Sequence, residues 1–264
     1  MSIGPASRRG RSRRAGVSTS LAARAKPFLG LVEGLNANGF DYLAMAYPHP
    51  YFREDRIETL HEAVRSISFG TLLTHANGEF VVTHLPFEVN TQPAPHGTLL
   101  GHIARGNPQW REVGEGIPAL VIFQGPHAYV SPSWYPGKRE DPRQVPTWDY
   151  VAVHAHGTLR TFDDPDRLHD LLSRLTLRNE GGRPKPWKIT DAPADYLREQ
   201  MRYIVGLELR IEKLEGRYKL SQNRDAADRE GARAGLASGN ERERAVAEAI
   251  GQCQPRILSA NKRE

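Results

Sequence analysis

FGTLLTHANGEFVVTHL, residues 69–85, is the stretch on which the fold class turns. Two runs rich in Thr, Val, Leu and Phe flank Asn77-Gly78. Asn-Gly readily adopts the two positive-φ positions that a two-residue turn between antiparallel strands needs. The stretch therefore predicts a β-hairpin, 69–75 paired with 79–85. Other strand candidates are GTLLGHI (97–103), PALVIFQ (118–124), AYVS (128–131) and YVAVHAHGTLRTF (150–162). IVGLELRIEKLEG (204–216) joins them, because Leu207, Leu209 and Ile211 alternate there with charged residues.

Helices are fewer. Ile57, Leu60, Val64 and Ile67 fall on one helical face and predict an amphipathic helix over 53–67. DDPDRLHDLLSRLTLRNE (163–180) opens on an Asp cap with Pro165 in the first turn, then spaces Leu168, Leu171, Leu172 and Leu175 helically. DAPADYLREQMRYI (191–204) repeats the device with Asp191 and Pro193, and ERERAVAEAI (241–250) reads as a short Ala-rich helix. Parallel crossovers need a helix after nearly every strand, so six or seven strands with so few helices argue against a doubly wound sheet. The expected architecture is mainly β with peripheral helices (α+β), a small antiparallel barrel with helices packed outside. No repeat with a period of 20–50 residues occurs.

The 264 residues carry 36 Lys and Arg against 31 Asp and Glu, a net charge of +5. Residues 1–45 hold seven of the basic residues (Arg8, Arg9, Arg11, Arg13, Arg14, Arg24, Lys26) and two acidic ones, Glu33 and Asp41, which leaves 29 of each sign in the rest. The body is neutral, so the overall charge is poor support for a nucleic-acid binder. Residues 1–44 are expected to be a basic leader: a disordered arm, a start codon placed too early with Met45 the true beginning, or a transit peptide. The single cysteine, Cys253, excludes intramolecular disulfides and Cys-rich zinc sites and fits a reducing, cytoplasmic setting. No run of 18 or more apolar residues occurs, so no membrane span is expected.

Motifs exclude several chemistries. No G-x-G-x-x-G, G-x-x-x-x-G-K-[ST] or G-x-S-x-G is present, and no catalytic residue is singled out. His154 and His156 share one strand face, as two ligands of a β-barrel metal site would, but Gly157-Thr158-Leu159-Arg160 follows where a cupin-like site wants a glutamate. No metal is expected. Three donor-rich turns follow strands. GHIARGNPQW (101–110) offers His102, Arg105 and Asn107; SPSWYPGK (131–138) offers Ser131, Ser133 and Lys138 beside Trp134 and Tyr135; KLSQNR (219–224) offers Lys219, Gln222 and Asn223. Each turn alone reads as a solvated loop. Together, with two aromatics among them, they point to a ligand both anionic and flat.

The same segments carry a family resemblance. YPHPYF (47–52), FGTLLTH, THLPF (83–87), GHIARGNPQW, FQGPHAYVSPSWYP (123–136), VPTWDYVAVHAHG (145–157), LTLRNE (175–180), PWKITDAP (186–193), IVGLELRIEKLEGRYKLSQNR (204–224) and ADREG (227–231) resemble the PaiB family of FMN-binding proteins, often called negative transcriptional regulators. The likeness runs from about residue 45 to 236. It implies an FMN-binding split β-barrel over 45–238, related to pyridoxamine-phosphate-oxidase-like flavoproteins, with 239–264 a C-terminal helix and tail. It also implies a homodimer with FMN at the subunit boundary. By this likeness Trp134 and Tyr135 wall the isoalloxazine or the dimer seam, with Ser131 and Lys138 donating nearby. Arg105 takes the phosphate with His102 and Asn107 in the same segment, Thr74, His75 and His84 meet the ribityl or pyrimidine edge, and the turn of Lys219, Gln222 and Asn223 closes the site. One departure is Gly137-Lys138 where relatives often read Ser-Lys. The implied function is negative transcriptional regulation, direct or through a partner; the alternative is an FMN-dependent oxidoreductase of a small molecule with NAD(P)H as donor. DNA as a partner comes from the family name alone, since no helix-turn-helix is legible.

Overall fold

The computed structural model describes residues 50–76 and 78–253. Eight antiparallel strands form one sheet: β1 (Arg53–Glu54), β2 (Phe69–Ala76), β3 (Glu79–Pro86), β4 (Glu88–Asn90), β5 (Thr98–Ala104), β6 (Ile117–Val130), β7 (Thr147–Phe162) and β8 (Ile204–Lys219). Their spatial order is β3-β2-β6-β7-β8-β5-β4, with β1 pairing to β8. The hairpin registers Ala76 against Glu79, which leaves the two-residue turn that Asn77-Gly78 predicts. Five helices lie outside the sheet: α1 (Ile57–Ile67), α2 (Pro165–Glu180), α3 (Ala194–Met201), α4 (Ala226–Ala237) and α5 (Glu241–Gln252). This is the mainly β architecture with peripheral helices expected from the sequence.

The strands at the centre are longer than their sequence signals. PALVIFQ and AYVS read as separate strands because Gly125-Pro126 lies between them, yet both belong to β6. The register slips between Gln124 and His127, so Pro126, which has no N–H to give a ladder, sits in a bulge. A second irregularity falls between His156 and Gly157 of β7; a Cβ on Gly157 would run into the carbonyl of Arg210 on β8. These kinks let 14- and 16-residue strands serve two cores in turn. The first core gathers Leu60 and Val64 of α1 with Leu72, Phe87, Leu99, Val121, Phe123, Val153, Leu207 and Leu209. Ala128, Val130, Val151 and Leu220, from the other ends of the same strands and the turn after β8, meet Ala232 and Leu236 of α4 and Val246, Ala247 and Ile250 of α5 in a second core.

Helix boundaries differ from the sequence reading for local reasons. α1 starts at Ile57 rather than 53 because Arg53 and Glu54 pair with Arg217 and Gly216 of β8. α3 starts after Pro193, since Asp191 ends a short 3-10 turn. α4 has no counterpart among the expected elements. Arg178 of α2 donates to the Phe87 carbonyl at 3.0 Å and to Glu88 at 2.7 Å, which ties that helix to β4. Among the described residues no helix is long and apolar enough to cross a membrane.

Candidate functional site

Alternate residues of β3, β2, β6, β7 and β8 point away from the first core and build one outer face. Register fixes its rows. His84 stands opposite Thr71, Thr71 opposite Ile122, Ile122 opposite His154 and His154 opposite Glu215. The neighbouring row runs Val82, Leu73, Leu120, His156 and Lys213. On the other side come Gln124, Ala152 and Arg217, then His127, Tyr150 and Lys219, then Tyr129 with Trp148. Phe69, Phe80, Val82, Tyr129 and Trp148 are all exposed on this face. A sheet face that met only water would not carry five exposed large apolar side chains along its length.

Within the face lies a cleft of about 280 Å³ lined by Ile122, Gln124, His127, Trp148, Tyr150, Ala152 and His154. Ala152 makes its floor, because its small side chain leaves a hollow between the larger ones two residues either way. The walls hold one another in place. The Trp148 indole donates to Nδ1 of His127 at 3.3 Å and stacks on that ring at 5.9 Å. Arg217 Nε donates to the Tyr150 hydroxyl at 3.0 Å. Lys219 Nζ donates to Thr147 Oγ1 and the Trp148 carbonyl, both at 2.6 Å, and lies 3.2 Å from the buried carboxylate of Asp149. The cleft therefore offers flat aromatic walls, one amide and two nearby cations on a rigid sheet, the chemistry that suits a planar, polar ring system.

His154 and His156 edge this site. Burial pushes both imidazoles below the ordinary histidine range; for His154 the neighbouring His156 adds to the effect, while Glu215 opposes it for both. Both are thus held toward the neutral form, which can give a proton from one nitrogen and accept at the other.

The residues singled out by sequence fall in four places. His75 and His84 lie exposed on the outer face, with rings against Phe80 and Phe69. Thr74 points the other way, into the mouth of the barrel, where it accepts from Gln109 Nε2 at 3.0 Å; Asn107 donates to Thr83 at 2.9 Å and caps Gln109. His102 stands on β5 against β8, its Nδ1 buried and unpaired. Arg105 gives its guanidinium to the carbonyls of Arg202 and Ile204, at 2.8 and 3.0 Å, and so ties β5 to the start of β8.

The turns at 131–138 and 219–224 come together at the far end of β8. Ser131 pairs its hydroxyl with Ser133 at 2.6 Å, and Lys138 is exposed. Tyr135 is buried in the second core, where burial raises its hydroxyl above the usual range; the Arg224 guanidinium covers its ring at 4.5 Å. Trp134 packs on the same core, against Gly235 of α4. Gln222 accepts from Leu220 N at 2.7 Å, and Asn223 is exposed. Lys219 alone of this group also borders the outer face. Arg105 and Trp134 lie at opposite ends of β8, so one chain does not bring them into a shared cleft. The residues that the sequence reading passed over are Gln124, His127, Trp148, Tyr150, Ala152 and Arg217. For Trp148, Tyr150 and Ala152 the signal was present in TWDYVAVHAH, whose every second residue, Trp148 to His156, is aromatic or small where a solvated face carries charge.

An antiparallel barrel with helices outside and a flat-walled cleft on its outer face is the architecture expected of a split-barrel protein. The chain belongs to the family described as "Putative FMN-binding domain", which matches residues 46–213. It is 38% identical over 182 residues to protease synthase and sporulation protein PAI 2 of Bacillus subtilis, covering 69% of this chain and 84% of that protein. A protein of Aspergillus fumigatus is 31% identical over 222 residues, covering 69% and 82% of the two chains. Among solved structures, the FAD and heme binding protein from Mycobacterium smegmatis is similar with a TM-score of 0.48 and 20% identity, covering 63% of this chain and 73% of that one.

Proposed function

We propose that the protein binds FMN on the outer sheet face between two copies of the chain and uses it as an oxidoreductase of a small molecule, with NAD(P)H as donor. The observation that carries this reading is the cleft over Ala152. Its volume, about 280 Å³, falls just below the range of roughly 300–1,000 Å³ for ligand pockets, as half of a site completed by a second copy would. An isoalloxazine laid over Ala152 has Trp148, Tyr150 and His127 as walls and Gln124 to meet its polar edge. Arg217 and Lys219 border the same rows and supply positive charge for the phosphate end. His75 and His84, further along the face, are offered to the ribityl chain or the flavin of the facing copy. Bound flavin would supply two-electron chemistry, which none of these side chains can do alone.

Transcriptional regulation is weaker on physical grounds. The paired helices α4 and α5 are the element best suited to DNA reading among the described residues, yet Arg242 and Arg244 share their surface with Glu230, Glu241 and Glu248. Such mixed charge neutralises few phosphates. The test is a titration of the purified chain with FMN, riboflavin and FAD, followed by anaerobic addition of NADH or NADPH. Quenched FMN fluorescence and bleaching of the bound flavin's visible absorbance are the expected results. Binding without bleaching, together with a salt-dependent gel shift, would favour the regulator, and no flavin uptake at micromolar concentration would sink both readings.

A further inference from the structure

His154, in the lining of the cleft, and His156, one step beyond it, do not have the setting of surface residues. His154 forms one end of the cleft, half-buried beside Ile122. His156 lies one step along the same face, its ring edge-on to His154 at 6.3 Å. Across β8, Nε2 of His156 is 3.3 Å from Oε2 of Glu215, and Glu215 Oε1 takes Lys213 Nζ at 2.8 Å. That Oε2 is buried and makes no hydrogen bond, so a proton on His156 is what would satisfy it. On the β6 side both rings face apolar partners, Ile122 and Leu120, so Glu215 and Lys213 are the charged groups directly opposite the pair. Among the described residues no group of three or more His, Cys, Asp or Glu is arranged to hold a metal ion. A strand face needs no ionisable pair for packing; Thr or Val would serve.

We infer that His154 is the proton-exchanging residue of the cleft and that His156 and Glu215 are its route to solvent. The inference rests on the flavin reading. A flavin held there would take two electrons from a nicotinamide or another external donor, and His154 would supply the accompanying proton from a ring nitrogen, one N–H bond breaking at His154 as another forms on the acceptor. His156, whose ring lies edge-on at 6.3 Å, would return a proton to His154 through a bridging water and draw its own from water at the Glu215–Lys213 edge. His154 is the catalytic residue in this scheme, and His156 and Glu215 are positioning residues that act through it.

The full chain with FMN as probe tests this. FMN affinity is read by fluorescence quenching. Proton uptake is followed with an indicator dye in weak buffer while the bound flavin is photoreduced by a tertiary amine, so no physiological reductant has to be known. H156Q, outside the cleft lining, is expected to hold FMN near parental affinity, and both H154Q and H156Q are expected to slow proton uptake at saturating FMN by about a hundredfold, the lower range for loss of a general acid. Added imidazole is expected to restore uptake in H154A. In the ligand-free chain, E215Q is expected to move the NMR titration of both imidazoles to lower pH, because it removes the negative charge that favours their protonation. Parental uptake rates in both glutamine variants with FMN bound would overturn the relay and leave flavin binding standing. Failure of the parent to take up FMN would overturn the flavin reading and the relay with it. Should H154Q not fold, H156Q decides alone, and uptake at the parental rate there rejects the scheme.

Discussion

Ser221 adopts φ of 60°, the left-handed region that a side chain other than glycine enters at a cost of about 1–2 kcal/mol. Its hydroxyl donates at 2.6 Å to Oδ2 of Asp149, a carboxylate with no exposed surface. The bond offsets the strain. Ser221→Ala keeps the strained backbone and leaves a buried acceptor unpaired, so urea unfolding is expected to show a loss of about 1–3 kcal/mol. Ser221→Gly loses the same bond but relaxes the backbone, and is expected to be the milder variant. An order reversed between the two would mean that the hydroxyl contributes nothing. Histidines act at this scale too. Burial, the largest cause for each, lowers the pKa of His96, His102, His154 and His156 from 6.5. The folded chain thus binds fewer protons than the unfolded one between those lowered values and 6.5, and its stability rises with pH across that window. It is expected to be fully present above 6.5, to fall as pH drops through the window and to level off below it. Urea midpoints measured from pH 8 to about 5 check this, and substituting His154 and His156 by Gln should flatten the slope.

At the scale of elements, α4 explains why an aromatic loop follows β6. Asp228 of α4 accepts from Gly137 N at 2.8 Å, and Gly231 and Gly235 let the helix come against the Trp134 backbone and indole. Gly231→Ala would gain about 1 kcal/mol of helix propensity in isolation. Here the added Cβ meets the Trp134 carbonyl, which is backbone and cannot swing aside, so net destabilisation of about 1–3 kcal/mol is expected by chemical denaturation. A more stable variant would show that the loop yields. The same glycines hid the helix from the sequence: AADREGARAGLA has two helix breakers and few apolar residues, and its reason to be helical lies in Trp134, about a hundred positions away. The hairpin at 69–85, the Asp-Pro start of α2 and the alternation of β8 were legible because their causes are local. The bulge in β6 was not, since Gly125-Pro126 looks like a break until β7 is there to pair on both sides of it. The site was legible least of all. Donor-rich turns drew attention to Arg105 and Ser131, whereas the cleft is assembled from every second residue of strands that only register brings side by side.

For the molecule as a whole, the outer face sets a size argument. With strands about 4.8 Å apart and alternate rows about 6.6 Å apart, rows that narrow from five strands to two cover on the order of 600 Å², the low end of the per-partner area of a standard protein interface. Phe80, 76% exposed, and Val82, 48% exposed, sit at its β3 edge, where an unpaired strand with apolar side chains would invite aggregation unless covered. A second copy related by a two-fold axis would cover the face with the same face and turn each open cleft into a closed one. Sedimentation of the parent is therefore expected to give a dimer. The double variant F80E/V82E is expected to remain folded, since neither side chain belongs to a core, and to sediment as a monomer because pairing would then bury unpaired carboxylates against the apolar face of the other copy. Flavin affinity discriminates the reading from ordinary dimerisation. If the cleft over Ala152 is half of the binding site, the monomer loses at least about tenfold in FMN affinity, some 1.4 kcal/mol, though no residue lining the cleft has changed. A monomer that holds FMN as tightly as the dimer would place the flavin wholly within one chain.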